Sequence, residues 1–568
     1  MDDDVRESRS ESQRVFFHSS DEVFLYEGGG EIAEELRTEI TRVRIGPQVK
    51  DIPCKTFDGC INLVELQFDD EGILQVIGDE AFSNCMALQH LSVPSSVTKL
   101  GKYAFWGCIR LTAVRLHDGL EVIEACAFRN CMALQQVTIP PSVTKLGESA
   151  FKGCNNLTDV HFDEGVLQVI EDNAFRDCTA LQQVTIPSSV TELGIYAFRG
   201  CINMTDVHFH DGLQSIGMCG FYDCKSLQHV TIPSSVTKLG HVAFHGCINL
   251  VVVQFEEKSL LRAMGNYAFR DCTALQQLVI PPSVTKLGRG AFHGCRNLAD
   301  VQLTGGLLQN IGATAFKDCT ALQQVTIPSS VISQANYAFF RGSRLGNCSF
   351  PFFRGSRLGN CSFQGCTNLT EVILLGGDRL LDQEFLNRGL NSGEGALDKK
   401  RLNETIGTSF TGCLLSTMKI SVSLPLSGKK KEKWLWSGNW RLSQRMARLP
   451  QECRLSVEGR IRDMRNLEIT QDGEVLACFP VIRGILGSMD FEDSDNQTAK
   501  SLHQVLRLIS FHELKESSIL IELAMWKSRF DGILARADCR TSVPGPAKCL
   551  IMEYCGFTDF LEPAIEGD

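Results

Sequence analysis

The chain of 568 residues carries 24 cysteines and 12 histidines, side chains that ligate metals, exchange disulfides or act as nucleophiles where their spacing allows it. Fourteen of the cysteines form one series: Cys60, Cys85, Cys108, Cys131, Cys154, Cys178, Cys201, Cys224, Cys247, Cys272, Cys295, Cys319, Cys366 and Cys413. Steps of more than twenty residues without a CxxC pair fit no zinc module. The series reads instead as a buried structural position, because unbridged Cys is among the most buried residue types. On neighbouring strands such thiols would lie about 4.8 Å apart, with parallel side-chain directions that disfavour bridging.

A sharper cluster is Asp206, His208, His210 and His229. Stacked one step apart in a column, Asp206 and His229 would pair, and the carboxylate would raise the imidazole pKa. A flat strand face rarely offers the third ligand a metal needs, so no metal is expected. A second column, Arg129, Lys152, Arg176, Arg199, Arg270 and Lys317, joined by His245 and His293, forms a basic ridge suited to an anionic partner. Asp follows Arg176, Arg270 and Lys317 and screens part of it. No phosphate loop, nucleophile elbow, helical HExxH or GxGxxG occurs. Neither catalysis nor a cofactor is expected.

These columns are positioned by a repeat. Phe57, Phe82, Phe105, Phe128, Phe151, Phe175, Phe198, Phe221, Phe244, Phe269, Phe292 and Phe316, usually preceded by Ala, recur every 23 to 25 residues. In the stretch AFRNCMALQQVTIPPSVTKLGESAF, Cys131 and Leu134 follow Phe128, and Val137 and Ile139 alternate with Gln136 and Thr138. That two-residue period predicts a strand with one buried face. Val143 and Leu146 then return the chain along the back. A single copy cannot bury its apolar face, so copies must stack to form a core. The turns alternate between an LQQVTIP flavour, marked by Pro94, Pro140, Pro187, Pro233, Pro281 and Pro328, and an LTDVHF flavour, giving a unit of two turns.

The pattern AFxxCxxLxxVxI, with Pro after every second strand, resembles the BspA-like class of leucine-rich repeat proteins over roughly residues 41–424. The resemblance implies an α/β repeat fold, a curved leucine-rich repeat solenoid with a parallel sheet on its inner face, used for binding and bringing no reaction with it. On that face the outward positions include His90, Gln136, Thr138, Asp159, His161, Gln183 and Thr185, then Asp206, His208, His229, Thr231, Gln277, Asp300 and Gln324. These groups can hydrogen-bond a protein partner over a long arc. They lack the Trp, Tyr and Arg anchors that usually carry affinity, so contributions should be spread over several turns.

Around the repeats, residues 1–40 read as a charged leader and N-terminal cap, 41–375 as the solenoid and 376–404 as a flexible insertion. Residues 405–426 read as a terminal repeat and 427–441 as a basic linker, with Lys429, Lys430, Lys431 and Lys433 before Trp434, Trp436 and Trp440. The dodecapeptide FFRGSRLGNCSF occurs at 339–350 and again at 352–363. Its length is not a repeat period, so either one copy loops out or the copy is an artefact of the gene model. Residues 442–568 read as a small, mainly α-helical domain. Val457, Ile461, Met464 and Leu467 share one helical face there, as do Leu502, Val505, Leu506 and Ile509, and a third helix is expected over 512–530.

The net charge of −11 argues against a general nucleic-acid binder. No apolar run approaches the roughly 18 residues of a membrane span, and the start MDDDVRESRSESQR lacks the signature of a signal peptide. The expected function is a non-catalytic protein-interaction scaffold in the cytoplasm or nucleus. A secreted adhesin of the BspA-like type, or an enzyme hidden in residues 442–568, are the alternatives.

Overall fold

The computed structural model describes residues 23–512, apart from 70, 304–306, 333–357, 382–395, 407, 425–439, 442–445, 472–473, 484–488, 492–496 and 510. The first dodecapeptide copy, the lysine run of the basic linker, the bulk of the 376–404 insertion and the helices expected beyond residue 512 lie outside the described residues. The chain forms two compact units: Met1–Val325 with Arg357–Leu369 and Thr408–Leu414, and Thr326–Ser356 with Thr370–Gly407 and Leu415–Asp568.

In the first unit every turn crosses two stacked parallel sheets. One face carries a three-stranded sheet (Phe24–Tyr26, Arg42–Ile45, Glu65–Gln67), a six-stranded sheet from His90–Ser92 to Asp206–His208, and a four-stranded sheet from His229–Ile232 to Asp300–Gln302. The opposite face is one twelve-stranded sheet of two-residue strands, from Asp51–Ile52 to Asn310–Ile311. Equivalent positions of successive copies are in register: Gln136, Val137, Thr138 and Ile139 lie beside Asp159, Val160, His161 and Phe162. The parallel solenoid is therefore present, one copy per turn.

The edge beside each Phe is a pair of hydrogen-bonded turns. Residues two before and two after the Phe have left-handed backbone, as at Ser149 (φ 57°) and Gly153 (φ 76°) around Phe151. Reversing hand within so few residues is incompatible with a helix. The alternation aims the N–H groups of Ser149, Phe151 and Gly153 at the carbonyls of Asp172, Ala174 and Arg176, at 2.8, 2.8 and 2.9 Å. The edge is thus a third backbone ladder, which pairs peptide groups that would otherwise be buried without partners.

That ladder also explains the two-turn unit. The left-handed position after the Phe alternates between Gly and Asn or Asp, as in Gly153, Asp177, Gly200 and Asp223. A Cβ added to Gly200 would meet the Asp177 carboxylate oxygen at 2.5 Å. The polar side chain of one turn occupies the space that glycine leaves on the next.

Inside, the Phe rings form one stack. Successive centroids from Phe57 to Phe316, and on through Phe363 to Phe410, are 5.0 to 5.4 Å apart with planes within 10° of parallel. The repeat cysteines are unbridged. From Cys85 onward each of these thiols donates to the carbonyl of the Phe one turn back, as Cys178 does to Phe151 at 3.2 Å and Cys201 to Phe175 at 3.3 Å. The same carbonyl accepts the N–H of its own turn's Cys, at 3.3 Å for Cys154 on Phe151. A buried thiol is thereby satisfied without a disulfide.

The N-terminal end begins earlier than the repeat pattern indicates. Strand Phe24–Tyr26 pairs with Arg42–Ile45, and the edges of Phe24 and Tyr26 close the stack against Phe57 at 6.3 and 5.3 Å. At the duplication, the second copy fills the turn: Leu358 bridges Ile311, Phe363 stacks on Phe316 at 5.1 Å, and Cys366 donates to the Phe316 carbonyl.

In the second unit, Glu371–Leu374 runs parallel to Thr417–Ser421, whose other edge takes Val475–Arg483 antiparallel. Leu467–Ile469 and Met489–Phe491 pair with that long strand. An antiparallel partner thus covers the open edge of the terminal repeat strand, which would otherwise invite association. Lys419 spans the join, 2.6 Å from Glu371 and 2.8 Å from Glu468. Burial alone would lower its pKa, but its bonds to Glu371 and Glu468 outweigh that and hold it above the ordinary lysine value. Helix Gln451–Arg462 buries Val457 and Ile461. A helix over 497–509 buries Leu502, Val505 and Ile509, with Leu506 half-buried. Met464 lies beyond the end of the helix and Leu467 in a strand, so both depart from the expected helical face. Among the described residues no helix is long and apolar enough to cross a membrane.

Candidate functional site

The alternation of the inner strands buries Val137, Val160, Val184 and Val207 and turns their neighbours outward. Gln136, Asp159, Gln183 and Asp206 form one in-register column. Thr138 stands beside His161, Thr185 beside His208, and Gln277 beside Asp300. His90 is aligned with Ala113, which in turn faces Gln136. His229 and Thr231 open the four-stranded sheet, beside Val252 and Gln254, and Gln324 is exposed on strand Gln324–Ile327. Of the fourteen predicted positions only Asp206 is half-buried; the rest are exposed.

The Asp206–His229 pair does not form. Asp206 instead holds His208 of its own strand at 3.1 Å, and Asp163 holds His161 at 3.2 Å. Residues two apart point to the same side of a strand, so the imidazole reaches its own carboxylate first. The six-stranded sheet also ends at Asp206–His208, and His229 begins another. Exposed pairs of this kind contribute about 0–1 kcal/mol. Among the described residues, no group of three His, Cys, Asp or Glu side chains is placed to hold a metal.

The inner-face expectation overlooked Val252 and Val279. They occupy outward positions that are polar on most other turns and are 43% and 56% exposed. They line a cleft of about 800 Å³ together with Phe255, Glu256, Gln277 and Pro281. The signal was legible: VVVQF replaces TDVHF, and LQQLVI replaces LQQVTI. Apolar side chains placed on the wet face of a strand are the ones that need a reason.

The ridge residues sit at equivalent positions on successive turns, and their charges are unequally available. Arg176 and Arg270 lie 3.3 and 3.2 Å from Asp177 and Asp271. The Arg199 guanidinium sits between the rings of Tyr196 and Tyr222, at 5.4 and 5.1 Å, a cation–π arrangement. Asp318, expected to screen Lys317, pairs instead with His293 of the preceding turn at 3.2 Å. His245 reaches Asp271 at 3.6 Å, and its pKa is lowered, chiefly by burial. Arg129 and Lys152 have no carboxylate partner among the described residues. The Lys152 pKa is lowered, first by burial and then by repulsion from Arg176 and Arg129.

No curated protein sequence matches the chain significantly. Among solved structures, a leucine-rich repeat protein from Bacteroides ovatus is 25% identical with a TM-score of 0.41, over 59% of this chain and 86% of that one. A leucine rich cell surface protein from Faecalibacterium prausnitzii is 25% identical with a TM-score of 0.35, over 56% and 95%. The pneumococcal vaccine antigen PcpA is 19% identical with a TM-score of 0.35, over 59% and 74%. The profile of the BspA type leucine rich repeat region matches residues 36–158, 168–299 and 300–391 in six copies. With most of its length matched by that profile and its Phe and Cys columns stacked turn on turn, the chain belongs to the BspA-type leucine-rich repeat family.

Proposed function

We propose that the protein is a non-catalytic recognition scaffold that takes a protein partner on its inner face, anchored in the cleft between strands Val252–Phe255 and Gln277–Val279. The observation that carries this reading is the exposure of Val252 and Val279 on a face of mostly polar residues. Two branched apolar groups beside an open cleft supply the desolvated centre that most interfaces need, and the surrounding amides and hydroxyls supply the rim. A cross-linking pull-down with the full chain tests it. Val252→Asp combined with Val279→Asp should lose the captured protein, whereas Arg199→Glu should keep it. Equal capture by both variants would remove the inner face from consideration.

A cytoplasmic location belongs to the same proposal. Its support is the core itself: a column of thiols donating to carbonyls is compatible with a reducing compartment. Cell fractionation decides, and recovery of the protein from the cell surface or medium would favour an adhesin.

A further inference from the structure

A second surface lies away from the inner face, on the turn edge of the N-terminal copies. The residue after each repeat cysteine is Ile61, Met86, Ile109 and Met132 on four consecutive turns, and these are 41%, 41%, 39% and 45% exposed. The next two turns carry Asn155 and Thr179 there. Backbone bonds hold the column in line: the N–H groups of Ala87, Ala133 and Asn156 donate to the carbonyls of Ile61, Ile109 and Met132 at 3.1, 3.2 and 3.1 Å. Exposed Arg110 adjoins Ile109 in sequence, and Arg129 and Lys152 stand on the same edge. None of the three has a carboxylate partner among the described residues, and the Arg129 Nε is buried without a hydrogen-bond acceptor.

We propose that this edge docks an acidic amphipathic helix of a protein partner. Spacing selects the helix. The rings beneath these four turns are 5.0, 5.3 and 5.4 Å apart, close to the helical pitch of about 5.4 Å. Same-face residues of an extended segment recur at about 6.6–6.8 Å and would fall out of step over four anchors. A helix with apolar residues at i, i+4, i+7 and i+11 places one on each anchor. Methionine adapts to varied partner surfaces, and acidic residues flanking the apolar stripe meet Arg110, Arg129 and Lys152.

The test is fluorescence anisotropy of the full chain with a labelled synthetic peptide of about 16 residues, enough for four helical turns, made of Leu at those positions, Glu beside them and Ala on the opposite face. A scrambled peptide of identical composition is the control. The helical peptide should bind, and binding should weaken with salt. Met86→Asp with Ile109→Asp should weaken it by about tenfold or more. Arg129→Glu with Lys152→Glu should weaken it similarly and flatten its salt dependence. The Val252→Asp, Val279→Asp variant should bind like wild type, which separates this surface from the inner face. Should the aspartates lower the melting temperature, Met86→Ser with Ile109→Ser replaces them. No binding, equal binding of the scrambled peptide, or unchanged binding by the folded variants would overturn the proposal.

Discussion

Raising the pH should unfold the solenoid over a narrow interval just above pH 9. Burial pushes the thiols of Cys60, Cys108 and Cys154 from an ordinary 9.0 up to about 12. It raises Cys85, Cys131, Cys178 and Cys247 well above the ordinary value as well. In the unfolded chain the same thiols ionise near their ordinary value. A folded pKa above the unfolded one means that the stabilisation is complete below about pH 9 and is lost as the pH climbs toward 12. Each thiol removes up to about 1.4 kcal/mol per pH unit across that interval. A native domain holds only about 5–15 kcal/mol in total, so a column of such groups acting together should exhaust it within roughly one pH unit. The assay follows thiolate absorbance and circular dichroism on the same sample as the pH rises. Thiolate should appear only as the strand signal collapses, while the guanidine-unfolded chain titrates near the ordinary value. Thiolate appearing near pH 9 with the strand signal intact would show that the cysteines are not sealed, and the core as described would be wrong.

Phe175→Ala should cost about 3–5 kcal/mol, because the ring is fully buried and stacked at 5.4 Å on both Phe151 and Phe198; a urea melt superimposing on wild type would contradict the stack. Gly200→Ala should cost about 1–2 kcal/mol for the left-handed backbone, with more for displacing the Asp177 carboxylate. Adding Asp177→Ala should recover the second part only, which thermal melts of the single and double variants would resolve. Lys419→Ala strands Glu371 and Glu468 against each other. Since Glu468 is half exposed, the loss should be about 1–2 kcal/mol, below that of a fully buried pair. Hydrogen exchange should report it in strands Thr417–Ser421 and Val475–Arg483 rather than along the Phe stack.

What could be read without coordinates was whatever recurs with a local period. The Phe and Cys columns, the alternation of Val137 and Ile139 with Gln136 and Thr138, and the helical faces of Val457 with Ile461 and of Leu502 with Val505 each follow from which side of an element a residue faces. The strand Val475–Arg483 was not readable in this way, because VLACFPVIR is nearly uniform in its apolar character and carries no period. Nor was the edge beside each Phe. Its left-handed residues include Tyr103, Val242 and Tyr267, which no turn preference would place there; only the ladder to the next turn holds them.

The sequence by itself thus determined the repeat, its buried columns and the outward face. Tertiary structure alone decided the partners: that Asp206 takes His208 and leaves His229, that Asp318 turns to His293, and that the cations at Arg129 and Lys152 stay open while Arg176 and Arg270 are closed. Burial of a side chain follows from position along an element. Pairing depends on which of several reachable groups lies nearest across turns, and that distance exists only once the copies are stacked.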